Sequence, residues 1–280
     1  LRQEALMPRI FDFGGRDVER SQTVAGLRAL KGTGRHAAQV TAETADEAAA
    51  AEAAGIEMVV CRAANVARIR EGSKTVFVTA VLVFADAITS EEILRSAFAA
   101  ILAGADAVLC SRGSQTIRML ADEQIPVMGH LGFVPRKSTW YGSVRSVGKT
   151  AAEAMELWDR FRRLEDAGAF AVECEIIAAP VMAEINRRTG LVTVSLGSGP
   201  DADVMFLFTS DICGESGRLP RHARAWGNLA RLHDQIRRER MEALSAYRAA
   251  ISEGDFPKTQ ETTGMGAAEL EAFLTEIGRR

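Results

Sequence analysis

From residue 36 onward, short runs rich in β-branched and apolar residues alternate with alanine-rich stretches that have helical spacing. The predicted strands are residues 36–41, 58–61, 75–83, 106–110, 126–130, 170–176, 191–196 and 204–209. The predicted helices between them are residues 42–54, 90–103, 115–123, 151–167 and 180–188. Strands that alternate with helices form a parallel sheet with helices on both faces. Eight such strands predict an α/β fold, a closed (β/α)8 TIM-type barrel, with a doubly wound open sheet as the alternative.

The pattern changes at both ends of the predicted barrel, which takes up residues 21–225. Residues 1–20 are polar and predict an N-terminal arm. Residues 226–280 predict a C-terminal helical extension, in which residues 229–251 form one long amphipathic helix with arginines interleaved with glutamates. We expect this extension to pack on the barrel or on a neighbouring subunit.

Composition narrows the class of protein without changing the predicted fold. The 280 residues are 47% hydrophobic and 25% charged, which is typical of a globular chain. The net charge of −3 does not indicate a basic surface that would bind nucleic acid. No apolar run approaches the ~20 residues that cross a bilayer. Residues 1–20 lack a signal-peptide pattern. Four cysteines without CxxC or zinc-ligand spacing predict free thiols and a cytoplasmic location: Cys61, Cys110, Cys174 and Cys213.

The candidate chemistry lies at the carboxyl ends of the predicted strands, where barrels of this class place their active sites. Glu173 and Glu175 share one face of a strand, since side chains alternate across it. Glu175 lies at the barrel mouth and is predicted to be functional, whereas Glu173 is either functional or paired with a structural arginine. His130 ends another strand and is a proton donor, a hydrogen-bond partner of a substrate oxygen, or a structural histidine.

At these residues the chain resembles the ketopantoate hydroxymethyltransferase (3-methyl-2-oxobutanoate hydroxymethyltransferase) family. The likeness is carried, in order, by residues 23–32 (TVAGLRALKG), 40–42 (VTA), 126–135 (PVMGHLGFVP), 173–175 (ECE), 196–199 (LGSG), 210–214 (SDICG) and 247–257 (YRAAISEGDFP). The resemblance implies the barrel of the phosphoenolpyruvate/pyruvate superfamily, a homo-oligomer, and transfer of a one-carbon unit from methylenetetrahydrofolate to a 2-oxo acid held by Mg²⁺. It also implies that the family's catalytic glutamate is Glu175.

The sequence departs from the family at the implied metal ligands. The family's two metal-binding aspartates align with Cys61-Arg62-Ala63 and near Val81, and its strand-four lysine and glutamate align with Leu109 and Ser111. None of these positions supplies the carboxylate oxygens that Mg²⁺ prefers, so no metal is predicted. Asp86 and Asp106 are close in sequence but are not assigned as ligands.

Arg62, at one of the vacated metal positions, has two interpretations. It either binds a substrate carboxylate or enolate directly, or forms an internal ion pair with Glu173 or Glu175.

The sequence therefore predicts a divergent, metal-independent member of the family that acts on a small 2-oxo acid or related carboxylate. The reaction would be proton abstraction followed by C–C bond chemistry, either one-carbon transfer or an aldol-type step. Glu175 and His130 are the predicted catalytic residues, and Arg62, Ser111 and Asn65 the predicted substrate-binding residues. The alternative is a non-catalytic relative that serves as a binding or scaffold subunit. No cofactor, nucleic acid or membrane is predicted as a partner.

Overall fold

Residues 9–279 are described by a computed structural model, and within this range eight parallel strands close into a barrel. A separate antiparallel hairpin precedes them and consists of β1 (Arg9–Phe11) and β2 (Asp17–Glu19). The barrel strands are β3 (Ala37–Thr41), β4 (Met58–Arg62), β5 (Phe77–Val81), β6 (Ala107–Leu109), β7 (Val127–Gly132), β8 (Ala171–Glu175), β9 (Val192–Leu196) and β10 (Val204–Leu207). Each strand pairs with the next, and β10 closes the ring against β3. The predicted TIM-type barrel is confirmed, and the open-sheet alternative is wrong.

The helices of the chain fall into two compact units that divide between Trp226 and Gly227. The helices of the barrel unit are α1 (Val24–Arg28), α2 (Ala45–Ala53), α3 (Val66–Gly72), α4 (Ser90–Leu102), α5 (Ser114–Asp122), α6 (Ser138–Tyr141), α7 (Ala151–Asp166), α8 (Ala179–Asn186) and α9 (Thr209–Ile212). The second unit contains α10 (Leu229–Glu253) and α11 (Ala267–Ile277). Among residues 9–279, no helix combines the length and apolar character that crossing a membrane requires.

Threonine caps define the starts of two predicted helices, α2 and α4. The helix predicted from residue 42 begins at Ala45, because Thr44 caps it and Glu47 completes a capping box. Helix α4 begins at Ser90 as predicted, but the capping side chain is that of the preceding Thr89, which accepts from the backbone of Glu92. In both helices the Thr side chain caps the first turn, and the Glu side chain three residues later accepts a hydrogen bond from the backbone amide of that Thr.

The described part of the predicted N-terminal arm is anchored to the bottom of the barrel. Arg20 is 3% exposed, and its Nε donates to Oδ1 of Asp106 at 2.6 Å. Arg70 donates from Nη2 to the other oxygen of the same carboxylate, also at 2.6 Å. Because Asp106 precedes β6, this ion-pair network lies at the opposite end of the barrel from the mouth. This position explains why Asp106 is not a candidate ligand at the site.

Inside the barrel, side chains stack in layers contributed by alternate strands. The strand register places Arg62, Ser111 and Glu175 in the uppermost layer, His130 in the layer beneath it, and Glu173 one layer further down. Most of the side chains around and below them in the interior are apolar. The fold thus gathers the polar candidates at one end of the barrel.

Candidate active site

The centre of the candidate site is an imidazole placed between two carboxylates on adjacent strands. Strand β7 pairs with β8 so that His130 lies opposite Glu173 and Gly132 lies opposite Glu175. His130 Nε2 is 3.0 Å from Oε2 of Glu175 and 3.5 Å from Oε1 of Glu173. The three side chains are only 9–12% exposed. His130 contacts both carboxylates because its layer lies between theirs.

Ser111 extends this cluster on the other side of the imidazole. Its Oγ is 3.3 Å from His130 Nδ1. When Glu175 is ionised, Nε2 carries the proton and donates to it, and Nδ1 of the neutral ring accepts from the Ser111 hydroxyl. The chain Ser111–His130–Glu175 therefore fixes the ring orientation and directs a donor at the Glu175 carboxylate.

Glycines in the PVMGHLGFVP segment allow this arrangement. Gly132 has φ +95°, and a Cβ there would lie 2.1 Å from the carbonyl oxygen of Glu175. A Cβ on Gly129 would lie 2.6 Å from Leu164 of helix α7. The absence of side chains at these two positions lets β7 pass close to the end of β8 and lets α7 pack against β7.

Backbone strain follows directly after Glu175. Ile176 has φ 50°, which is the left-handed region that β-branched residues avoid. Such a conformation costs about 1–3 kcal/mol and persists where the surroundings enforce it. Here the Ile176 amide donates to Leu196 and its carbonyl accepts from Val147. These hydrogen bonds hold the turn that sets the position of Glu175 at the mouth.

The two glutamates differ in their electrostatic environment. Burial raises the pKa of Glu173, and the nearby charge of Glu175 raises it further, while His130 opposes the rise. Two neighbouring carboxyl groups do not both ionise easily, because their negative charges repel each other. Where the surroundings of the two groups differ, one can keep its proton while the other acts as a base. Burial therefore favours the protonated form of Glu173, which lies one strand step beneath Glu175.

We expect Glu173→Gln to remove a pH-dependent loss of stability. A carboxyl group with a raised folded-state pKa keeps its proton in the folded chain at pH values where the unfolded chain loses it. The free energy of unfolding therefore falls as pH rises from the ordinary glutamate pKa through the folded-state value. Melting temperatures measured between pH 4.5 and 8 should show wild type losing stability relative to the variant as pH increases. Glu91→Gln, on the exposed surface of α4, should show no such trend, and a trend of opposite sign would mean that Glu173 is ionised.

The structure corrects the expected ion pair of Arg62 with Glu173 or Glu175. Arg62 ends β4 in the uppermost layer of the mouth, but its side chain is exposed and forms no ion pair within residues 9–279. His130 is the partner of both carboxylates instead. The predicted pairing of Glu173 with a structural arginine is also wrong, because the basic side chain near Glu173 is that of His130.

Asn65 lies in a short 3₁₀ turn after β4, where its amide donates to the Glu43 carboxylate. That hydrogen bond connects Asn65 to Glu43 rather than to the His130 cluster. Its contact with a substrate stays a prediction.

Comparison with known proteins identifies the family. The sequence profile of the family described as ketopantoate hydroxymethyltransferase matches residues 62–259, which is more than half of the chain. The chain belongs to this family. The 3-methyl-2-oxobutanoate hydroxymethyltransferase of Roseiflexus sp. (strain RS-1) is 29% identical over 279 residues, which cover 90% of this chain and 98% of that protein.

Other relatives align over a shorter span. The enzyme of the same name from Hyperthermus butylicus is 38% identical over 183 residues, covering 64% of this chain and 61% of that protein. The one from Nitratidesulfovibrio vulgaris (strain DP4) is 32% identical over 165 residues, covering 59% of this chain and 52% of that protein. This chain thus spans about half the length of the Nitratidesulfovibrio relative.

Solved structures show the fold alone. A proposed phosphonomutase from Burkholderia cenocepacia J2315 superimposes with a TM-score of 0.53 at 12% identity and covers 82% of this chain and 98% of that one. The carboxyl transferase domain of Rhizobium etli pyruvate carboxylase gives a TM-score of 0.51 at 10% identity, covering 67% of this chain and 42% of that one.

The residues at the magnesium positions implied for the ketopantoate hydroxymethyltransferase family do not fit that ion. They are the guanidinium of Arg62 and the isopropyl group of Val81, which are register partners on the adjacent strands β4 and β5. Mg²⁺ prefers six oxygen ligands in near-octahedral geometry, and neither side chain offers one. Within the described residues, the group that could hold a metal is instead His130, Glu173 and Glu175, whose ligand atoms all lie within 4.8 Å of one another. This set includes an imidazole, which suits transition metals better than magnesium.

The thiols do not add a nucleophile to the site. Burial raises the pKa of the Cys61 thiol to about 12 and also raises the pKa of the other three, Cys110, Cys174 and Cys213. A thiol with a raised pKa is a poor nucleophile at neutral pH.

Two polar features of the barrel lie outside the predicted site. Gln39 and Thr79 are buried in the layer beneath Glu173, and their side-chain polar atoms find no partner within residues 9–279. In strands β3 and β5 the sequence does not alternate clearly between polar and apolar residues, so it does not show that these two polar side chains point into the barrel. The second feature is a cluster of cations beside Ser111, which follow β6 and β7 or lie on α7.

Proposed function

We propose that this member of the ketopantoate hydroxymethyltransferase family removes a proton from the carbon next to the carbonyl of a small 2-oxo acid, without Mg²⁺ at the family's positions. The observation that supports this most is the 3.0 Å contact between His130 Nε2 and Glu175 Oε2 at the barrel mouth. It holds a carboxylate, together with an oriented imidazole, where barrels of this class place substrates. General-base catalysis requires such a positioned group.

In the proposed step, the C–H bond breaks and its proton moves to a Glu175 carboxylate oxygen. The bonding electrons form the enolate, whose oxygen becomes negative. Arg62 at the mouth neutralises the carboxylate or the enolate oxygen, because its guanidinium has no internal partner in the described chain. His130 and Ser111 act as polar supports. The enolate carbon then attacks the carbonyl carbon of a one-carbon aldehyde. The new C–C bond forms as the aldehyde C=O π bond opens to an alkoxide, which takes the proton back from the Glu175 carboxyl group.

A homo-oligomer remains part of the proposal. Helix α10 buries none of its residues, and its exposed apolar side chains include Ile236, Met241, Leu244 and Ile251. Contiguous exposed apolar side chains are typical of a surface that binds another protein chain.

Exchange of the C3 proton of 3-methyl-2-oxobutanoate with deuterium tests the proposal, since this half-reaction needs no one-carbon donor. NMR should show exchange by metal-stripped wild type in the presence of EDTA. Arg62→Ala should raise the KM for exchange by about tenfold or more, because a charge-assisted hydrogen bond is lost. Arg68→Ala, an exposed arginine on α3, is the matched control and should exchange as wild type does.

Two results would contradict the proposal. If C3 proton exchange depended on added Mg²⁺, this chain would use the metal chemistry implied for the family. An absence of both exchange and heat of binding for a panel of 2-oxo acids would favour the non-catalytic alternative, a binding or scaffold subunit.

A further inference from the structure

A cavity of about 510 Å³ opens beside the Ser111–His130 pair, between the start of α5 and the middle of α7. Its volume is in the range that holds a small organic molecule. Five cations line it, and no carboxylate is among the described residues of its lining. The cations are Arg112, Arg136, Lys137, Arg160 and Arg163. In a chain whose net charge is −3, this is an unusual concentration of positive charge.

None of these five cations forms an ion pair within residues 9–279; the ion pairs of that range involve other residues. Arg112 and Arg136 instead lie against one ring, that of Phe84, with guanidinium carbons 4.2 and 4.5 Å from its centroid. Arg112 also donates to the Phe84 carbonyl, and Arg136 donates to the Ser111 carbonyl. These contacts place both guanidinium groups against the same ring, and an anion bound beside them would reduce their mutual repulsion.

The neighbouring cations show the same crowding. Burial and then the charge of Arg112 lower the pKa of Arg136. Burial and then the charge of Arg160 lower the pKa of Lys137, with only Glu156 acting against them. Helix α5 also begins in the cavity, and its N-cap Gly113 offers no side-chain oxygen to the first-turn amides. All of these groups are complementary to negative charge.

We propose that this cavity binds a phosphoryl or phosphonyl group. A carboxylate carries one negative charge, whereas a phosphate monoester carries close to two and presents three acceptor oxygens. Five unpaired cations match the larger charge, and guanidinium groups bind phosphate oxygens in a two-pronged geometry. Since Ser111 and His130 share the lining, the bound group lies next to the proposed reaction site. It is either part of the substrate or a separate anion that binds beside it.

The test is calorimetric titration of the full chain with inorganic phosphate at constant ionic strength maintained with chloride. We expect saturable one-to-one binding. Arg163→Gln should weaken the affinity by about tenfold or more, because a charge-assisted hydrogen bond to the anion is lost. Arg162→Gln is the matched control, since the preceding residue of α7 is exposed and outside the cavity lining. It should bind within twofold of wild type, and Lys137→Gln serves as a second lining variant.

A comparison of phosphonoacetate, phosphate and acetate separates the two sources of the anion. A group carried by the substrate predicts that phosphonoacetate binds at least tenfold more tightly than phosphate and displaces 3-methyl-2-oxobutanoate. A separate anion predicts that phosphate and the 2-oxo acid bind together without competition. No saturable binding of phosphate or phosphonoacetate, or equal weakening by Arg162→Gln and Arg163→Gln, would overturn the proposal. Phosphate binding does not require turnover, so failure of the proposed reaction would leave this result intact.

Discussion

Replacing Glu175 with Gln is expected to lower the rate of C3 deuterium exchange by about 10²–10⁴-fold while leaving the affinity for the 2-oxo acid within about threefold. The amide has the shape of the carboxylate and still accepts from His130 Nε2 through its oxygen, so the site keeps its geometry. It cannot accept the substrate proton, and a positioned general base contributes a rate factor of this size. Loss of rate without loss of binding indicates an interaction made in the transition state.

The measurement is the exchange rate at saturating 3-methyl-2-oxobutanoate, with binding measured separately by calorimetry. Glu91→Gln is the control, because Glu91 lies on the exposed face of α4, where its ion-pair partner is Arg95. It should leave both quantities unchanged. Wild-type exchange in Glu175→Gln would show that another group takes the proton, with His130 the nearest alternative base.

The barrel could be predicted because its signal is local and repeated. Each strand carries apolar residues that are buried on both faces, and each helix shows its own periodicity, so a boundary error in one element does not change the count. The prediction missed helix α3 (Val66–Gly72), whose seven residues include two arginines and a glutamate and show little apolar pattern. It also missed the β1–β2 hairpin, since three-residue strands in a polar segment are too short to show alternation.

The site could be predicted only in part, because strand register decides it. The rule that barrel chemistry lies at strand ends, together with the family resemblance, selected Glu175, His130 and Ser111, which the structure brings into one hydrogen-bonded chain. Which carboxylate contacts which cation depends on the pairing of β7 with β8. Sequence spacing alone does not contain that register, so it cannot show that the partner of both glutamates is His130 and not Arg62.

Replacing Asp106 with Asn is expected to lower the free energy of unfolding by about 3–5 kcal/mol, since removal of one partner from a buried ion pair leaves an uncompensated charge. One carboxylate oxygen accepts from Arg20 Nε, and the other accepts from Arg70 Nη2 and from the Val78 amide at 2.8 Å. Asn can replace only one of these oxygens, and its NH₂ group would face a donor. Burial already lowers the pKa of Arg70, and Asp106 is the charge that opposes this.

Urea unfolding checks this expectation, with the midpoint shifting and the m-value unchanged. Asp86→Asn is the matched control, because Asp86 is exposed in the loop after β5, and surface substitutions usually change stability by less than about 0.5 kcal/mol. The network lies below the barrel and the His130 cluster lies at its mouth, so folded Asp106→Asn protein should exchange C3 deuterium at the wild-type rate. A loss below about 1 kcal/mol would show that Arg20 and Arg70 find other counter-charges. A fall in exchange by folded protein would instead show that the two ends of the barrel are coupled.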